Sequence, residues 1–517
     1  MPRIAGTSLA TPVGDLAATL AALDAGVAST APLALPGGLV ETLIRIGNEA
    51  LAGARPDLVV FATTKGDLGP WCDSLISGAG YAGGPAQVAT ELGKHFAAPA
   101  FAVSAACASS PIACGVAARW LASGRARRVL VLAGDRIGPF ISDGFAALRA
   151  LDPTGSHPFD AERAGLALGE VAGAVVLSAD DDGGSLHLQG WGASLDANHL
   201  TGPTRDGSGV SRACNAAIAR AGDSPLALIV AHGTGTRYND DSESLAYAAT
   251  CPRVPVTAIK GLLGHSLGAC GLAEFAIAAA ARARGATPGT VNLRQQGCAG
   301  AITVLPPGVH ALAAGSILSA NAGFGGINGV VVIGDRPAPA RAAVRARLRR
   351  RIDMDARGWR HQDETGTWRE FGDDGLPRMT ALEIIGRVDP MWGRMDLACR
   401  ALIVLAMESG ELPADTGVVL LTEAGCAASD RSFERNRRER GADPQRFPYT
   451  LPSAPVGELS IRLRITGPGC TILGASDDQG RAIAQDLIAD GCPAVLLARV
   501  EADRSLSAWA ETWVADR

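Results

Sequence analysis

The 517 residues contain little that favours a membrane, a disulfide scaffold or a nucleic-acid partner. No uncharged apolar stretch reaches the ~18 residues that a membrane span requires. Near the N-terminus Asp15 and Asp24 interrupt the apolar run that follows Arg3. A secretory leader is therefore not expected, and a cytoplasmic setting is. Charged residues make up 19% and aromatics 4%, and the formal charge of −5 offers no bulk attraction to nucleic acid or anionic lipid. The eleven cysteines are scattered and form no CxxC pair, which weakens zinc and redox readings. They are expected to be buried, reduced thiols. No metal and no bound cofactor is expected.

What is present is an ordinary globular composition: 47% apolar residues, 64 Gly and 30 Pro. The length suits two or three domains. Over the first 335 residues, short β-rich runs alternate with Ala-rich helical runs, as an α/β protein requires. Leu58–Ala62, Val129–Ala133, Gly173–Leu177, Leu228–Ala231 and Gly329–Ile333 read as strands covered on both faces. Pro111–Ala122 and Leu272–Ala281 read as helices. Arg336 to Arg351 is rich in Pro, Ala and Arg and reads as a solvated linker or basic helix. Asp353 to Thr380, with Trp359 and Trp368, reads as irregular with a small hairpin. From Leu382 a second α/β pattern begins, with helices near Met395–Glu408 and Gln479–Ala489 and strands at Gly417–Thr422 and Ala494–Val500. Residues 467–476 can be laid over 98–107 without a gap, which marks an internal repeat of architecture rather than of identity.

Four local patterns carry chemistry. In Ser104-Ala-Ala-Cys107-Ala-Ser-Ser-Pro111 a strand leads in and a helix leads out, with small residues around the thiol. A helix N-terminus beside Cys107 favours its thiolate, and Pro111 suits the first turn. In Ala231-His232-Gly-Thr234-Gly-Thr236 a buried strand ends in a histidine, and Asp240 and Glu243 follow at helical spacing. Lys260-Gly-Leu-Leu-Gly-His265 places a second histidine between glycines ahead of a helix. Gly323-Phe324-Gly-Gly-Ile-Asn328 is a glycine loop without the strand–loop–helix context of a phosphate site.

Taken in order, these four patterns resemble the β-ketoacyl synthase family of the thiolase superfamily, with Pro158-Phe159-Asp160 and Gly169-Glu170 as further matches. The resemblance covers about residues 1–335. It implies a layered α/β/α/β/α thiolase-like fold, with an N-terminal half over 1–180 and a C-terminal half over 181–335. It implies that Cys107 takes the acyl chain as a thioester. By the same resemblance His232 and His265 are expected to assist decarboxylation of a malonyl thioester and to hold the enolate. Lys260 and Glu243 resemble a supporting ion pair with Asp240 nearby. Phe324 resembles the gate residue, its amide joining that of Cys107 in an oxyanion hole. Thr234 and Thr236 are expected from the resemblance to face the pantetheine arm or malonyl group. The implied partner is an acyl carrier protein delivering phosphopantetheine thioesters, in polyketide or fatty-acid-like synthesis. Gly261, Leu262, Val171, Ile327 and Ala322 depart from the family pattern and bear on pocket lining rather than on catalytic groups.

Residues 381–517, after a linker over 336–380, resemble a third, truncated and degenerate N-terminal half. Ser476 falls where the nucleophile should be, and Cys470, six residues earlier, reads as structural. No histidine motif follows, so this copy is expected to assemble no triad. It is expected to dock on the first half, around Ala100–Leu132, as a dimer mate would, giving a pseudo-dimer in one chain; the competing expectation is a homodimer. Two other functional classes compete: a non-decarboxylating thiolase or acyltransferase, and a non-catalytic partner that sets chain length. Thiolases place a second cysteine in the glycine loop, and Gly323–Asn328 has none.

Overall fold

A computed structural model describes residues 2–516 except 30–32, 181–183, 223, 338, 340–343, 356–357, 362–368, 371–379 and 504. Nineteen strands are present among them. Five form the first unit: β1 (Arg3–Ala10), β2 (Leu58–Ala62), β3 (Ala100–Ser104), β4 (Arg128–Gly134) and β5 (Ala172–Ser178). Their order is β1-β5-β4-β2-β3, with β1·β5 and β5·β4 antiparallel and β4·β2 and β2·β3 parallel. The parallel strands are buried on both faces, because the helices Leu39–Leu51, Pro85–Phe96 and Ser109–Ala122 cover them.

The second unit uses β6 (His187–Leu195), β7 (Leu226–Val230), β8 (Val256–Thr257), β11 (Ser316–Gly323) and β12 (Ile327–Gly334), while β9 (Ala286–Pro288) and β10 (Val309–Ala311) pair apart from the main sheet. Its order is β6-β12-β11-β7-β8, with the same sequence of antiparallel and parallel contacts.

The third unit repeats that order. It contains β13 (Ala346–Asp355), β14 (Gly358–His361), β15 (Arg369–Glu370), β16 (Gly417–Thr422), β17 (Gly469–Leu473), β18 (Ala494–Glu501) and β19 (Ser507–Ala515). The order β13-β19-β18-β16-β17 again runs antiparallel, antiparallel, parallel, parallel. The helices Leu397–Glu408 and Asp477–Ala489 and the strands at 417–422 and 494–501 lie close to their sequence-based positions.

The linker over 336–380 is corrected by this arrangement. Its basic run, Arg349 to Arg351, lies in β13, which pairs with β19 along its length and with β14 at one end. Ile352 and Met354 are buried beneath the strand, and Arg351 bonds the buried Glu511 at 2.6 Å. Three consecutive arginines break the apolar–polar alternation that marks a strand, because a run of charge reads as solvated chain. The third unit therefore begins at 346 rather than 381. Trp368 and the other residues of 362–368 and 371–379 lie outside the described residues.

The first and third units share one sheet. β17 pairs antiparallel with β3, placing Thr471 opposite Ser104, Ile472 opposite Val103 and Leu473 opposite Ala102. One apolar core runs through the seam and includes Phe101, Val103, Leu420 and Ile472. Buried ion pairs frame it. Lys65 Nζ meets Asp430 at 2.5 Å with both side chains 1% exposed. Asp490 accepts hydrogen bonds from Arg119, from Arg220 at 2.6 Å and from Trp191 Nε1 at 3.1 Å, and so joins the third unit to the other two. Asp490→Ala leaves two largely buried guanidinium groups without their counter-charge. Urea unfolding should show a loss of about 3–5 kcal/mol. A loss near the ~0.5 kcal/mol of a surface pair would show that this cluster does not hold the units together.

Candidate active site

Cys107 sits where β3 turns into the helix Ser109–Ala122. The turn is tight: Ala106 has φ +50°, a left-handed conformation that a small side chain tolerates best. Ser109 fixes it, its hydroxyl accepting from the Ala105 amide at 2.9 Å and donating to the Ala106 carbonyl at 2.6 Å. The thiol is buried but reaches a cavity of about 410 Å³ that His232, His265, Thr234, Thr236, Phe324 and Ala322 also line. Gly323 matters here. A Cβ on it would lie 2.9 Å from the Ala105 carbonyl oxygen and 3.0 Å from the Cys107 amide nitrogen, so only glycine lets the Phe324 loop lie against the nucleophile's backbone.

Both histidines come to Cys107. The thiol sulfur and one nitrogen of each ring lie within 4.8 Å of one another, and the rings meet edge to face at 5.2 Å. Their tautomers follow from their partners. Nδ1 of His265 accepts from the Leu267 amide at 3.1 Å. Nδ1 of His232 faces the amide nitrogen of Asn321 at 3.1 Å. That amide nitrogen also donates to Glu274 at 2.8 Å, and an ionised carboxylate only accepts, which fixes the orientation of Asn321. Each ring therefore carries its proton on Nε2. Burial, then Lys260, then His265 hold the pKa of His232 well below the usual imidazole value, so it stays neutral. A thiol with two imidazoles is also a donor set that zinc accepts. Zinc, however, needs unprotonated nitrogens, and here the nitrogens without protons already accept bonds from the protein.

Lys260 does not pair with Glu243. Its ammonium donates to Glu274 at 2.5 Å and to the carbonyl of His232. Burial opposes the charge, but Glu274 overcomes it and lifts the lysine pKa to about 12. Glu243 instead accepts from the amides of His232 and Gly233 at 2.9 and 2.8 Å and from the Tyr247 hydroxyl at 2.6 Å. Asp240 accepts from the amides of Phe159, Thr234 and Gly235. The two acids are struts for the His232 loop, and burial raises both pKa values, that of Glu243 to about 7. The Thr234 and Thr236 hydroxyls lie 2.9 Å apart on the cavity wall. Phe324 lines the same cavity, its ring 5.8 Å from that of Phe145.

Sequence reasoning missed three residues. Glu274 is the one acid in the apolar helix run Cys270–Ala281, and a lone buried acid demands a partner, so a signal existed. Asn321, two residues before the glycine loop, gave none. Asp135 accepts from the amides of Thr64, Lys65 and Gly268, tying the end of β2 to the His265 loop, and burial lifts its pKa to about 6. Ser476 is not a nucleophile site. It is exposed and caps the helix Asp477–Ala489, accepting from the Gln479 amide at 3.2 Å. Cys470 is buried in β17.

Residues 59–183 match the family described as "Beta-ketoacyl synthase, N-terminal domain", and residues 186–294 match "Beta-ketoacyl synthase, C-terminal domain". Residues 59–294 are thus similar to the two domains of the β-ketoacyl synthase family. The "Actinorhodin polyketide putative beta-ketoacyl synthase 1" of Streptomyces coelicolor is 33% identical over 278 residues, which is 50% of this chain and 59% of that one. The "Tetracenomycin polyketide synthase ketoacyl synthase alpha subunit" of Streptomyces glaucescens is 34% identical over 275 residues, 50% of this chain and 64% of that one. The match thus spans less than two thirds of these relatives. Among solved structures, "PfaC Keto synthase-Chain length factor" superposes with a TM-score of 0.78 at 15% identity, over 99% of this chain and 78% of that chain. This likeness shows the fold. A β-ketoacyl synthase from Burkholderia phymatum gives a TM-score of 0.60 at 25% identity, over 65% of this chain and 100% of that one. No helix among the described residues is long and apolar enough to cross a membrane.

The tautomer assignment is testable without substrate. Histidine ¹⁵N NMR should show His232 as neutral Nε2–H down to about pH 6, where an ordinary imidazole of pKa ~6.5 is largely protonated. Glu274→Gln should free Asn321 and mix the tautomers. A His232 that carries its proton on Nδ1 in the unaltered protein would refute the assignment.

Proposed function

We propose that the chain is a β-ketoacyl synthase that joins an acyl thioester to a malonyl-type thioester by decarboxylative Claisen condensation. The observation that carries this reading is the gathering of Cys107, His232 and His265, with Nδ1 of each ring already bonded to the protein and Nε2–H left to donate. The Cys107 thiolate attacks the acyl carbonyl carbon; the S–C bond forms and the pantetheine thiol leaves. The amides of Cys107 and Phe324 serve the oxyanion, each such donor being worth roughly 10²–10³ in rate. The malonyl thioester then loses CO₂. The electron pair of the broken C–C bond becomes an enolate, whose oxygen accepts from the two Nε2–H groups. A neutral imidazole suits this task because it donates without surrendering its proton. The enolate carbon attacks the acyl group and expels the thiolate. Decarboxylation supplies the carbon nucleophile, so no strong base is needed.

The acyl groups are proposed to arrive on acyl carrier protein, in polyketide or specialised fatty-acid-like synthesis in the cytoplasm. The third unit is proposed to be a degenerate copy of the first that occupies a dimer mate's place. The equal strand order of the two units supports this, and so does their register. Laying 467–476 over 98–107 puts Ile472 on Val103, Thr471 on Ala102 and Leu473 on Ser104. In the sheet Ile472 faces Val103, Thr471 faces Ser104 and Leu473 faces Ala102. A two-fold axis through the Val103–Ile472 pair therefore exchanges the strands, as an isologous interface demands.

Cys107→Ala should abolish acyl loading, read by intact mass, together with condensation. His232→Ala and His265→Ala should retain loading and lose malonyl decarboxylation by about 10²-fold or more. Condensation at the unaltered rate in Cys107→Ala would end this reading.

A further inference from the structure

A second, smaller cavity of about 20 Å³ also borders the nucleophile. Cys107, Thr64, Ile141, Phe145 and Phe324 line it, and Phe447 closes it from the third unit. Phe447 is held there: its ring packs 5.4 Å from that of Phe145 and 5.5 Å from that of Phe433. An acyl group on Cys107 that turns away from the entrance meets this cavity, which has room for only a short chain.

The wall is apolar with one unmatched polar atom. Thr64 is 2% exposed, and its hydroxyl is buried without a hydrogen-bond partner. The other hydroxyl in the lining is satisfied, because Thr450 donates to the Phe447 carbonyl at 2.6 Å. Thr64 is also held in place. Its amide donates to Asp135 at 3.0 Å, and a Cβ on Gly268 would lie 2.7 Å from its nitrogen. A fixed, buried hydroxyl left unpaired is costly and calls for an acceptor. Water fits poorly, since an ordered water needs two to four polar partners and the lining side chains offer a thiol, the Thr64 hydroxyl and the Thr450 hydroxyl, whose own proton is already committed to the Phe447 carbonyl.

We propose that Thr64 is a specificity-determining residue: its hydroxyl donates to an oxygen on the acyl chain held by Cys107. The synthase then favours a short β-keto or β-hydroxy acyl group over a saturated one of equal length. The inference rests on the condensing role of Cys107. A site that hydrogen-bonds a substrate oxygen discriminates against the analogue lacking it, because its own polar group is stranded.

The test compares acetoacetyl and butyryl thioesters of N-acetylcysteamine with the full chain, reading the rate of Cys107 acylation by intact mass. The ratio of the two rates, acetoacetyl over butyryl, should fall about tenfold or more in Thr64→Val and Thr64→Ala and should be retained in Thr64→Ser. Thermal unfolding adds a readout that a structural role would move. Thr64→Val should melt no lower than the unaltered protein, because it removes an unpaired hydroxyl. A ratio unchanged by Thr64→Val and Thr64→Ala, or a Thr64→Ser that behaves like Thr64→Val, overturns the inference and leaves the condensing reading standing. Acylation of Cys107 by neither thioester, in a protein that folds, overturns both.

Discussion

The pairing of β17 with β3 is the contact on which the rest depends. β3 is the last strand of the first unit's sheet, and a strand in that position left open exposes a row of unpaired amides and carbonyls. Its capture by β17 joins the twelve strands of the two units into one sheet. Cys107 follows three residues after β3 ends, so the same pairing sets the floor of the active site. It also explains the polar groups along the seam. Lys65 follows closely on β2 and reaches Asp430, while its amide is held by Asp135, which in turn holds the His265 loop through Gly268. A buried pair of this kind adds little net stability over apolar packing but strongly penalises misdocking. The third unit is thus continuous with the catalytic loops through hydrogen bonds as well as through Phe447.

Within the site, charge is placed at one remove from the reacting atoms. Lys260 and Glu274 neutralise each other in the core, and Glu274 then orients Asn321, which sets the proton on His232. Cys107 has the helix N-terminus beside its thiol. This division suits an intermediate whose negative charge must be met by oriented N–H groups rather than by a mobile cation.

Much of this was legible in sequence, and the reason is locality. Cys107, His232 and His265 each stand inside a run of small residues and glycines that the backbone needs in order to bring them together. The parallel strands 58–62 and 417–422 read plainly because burial on both faces leaves only apolar residues. What failed to read depended on tertiary pairing. Lys260 has Glu243 and Glu274 at similar separations in sequence, and only the fold decides between them. β13 was hidden by its arginines, and the partner of Arg351, Glu511, lies 160 positions away. Thr64 stands in an unremarkable strand end, and its interest comes from the cavity it lines and the partner it lacks. The register of β17 on β3 was foreshadowed by the gapless overlay of 467–476 on 98–107, which carries symmetry without identity.

The central claim is that the third unit occupies the place of a second chain. Light scattering of the purified protein at micromolar concentration tests it most directly. The account predicts a particle near the 52.7 kDa of one chain. A particle of twice that mass, whose dimer interface included β3, would contradict it.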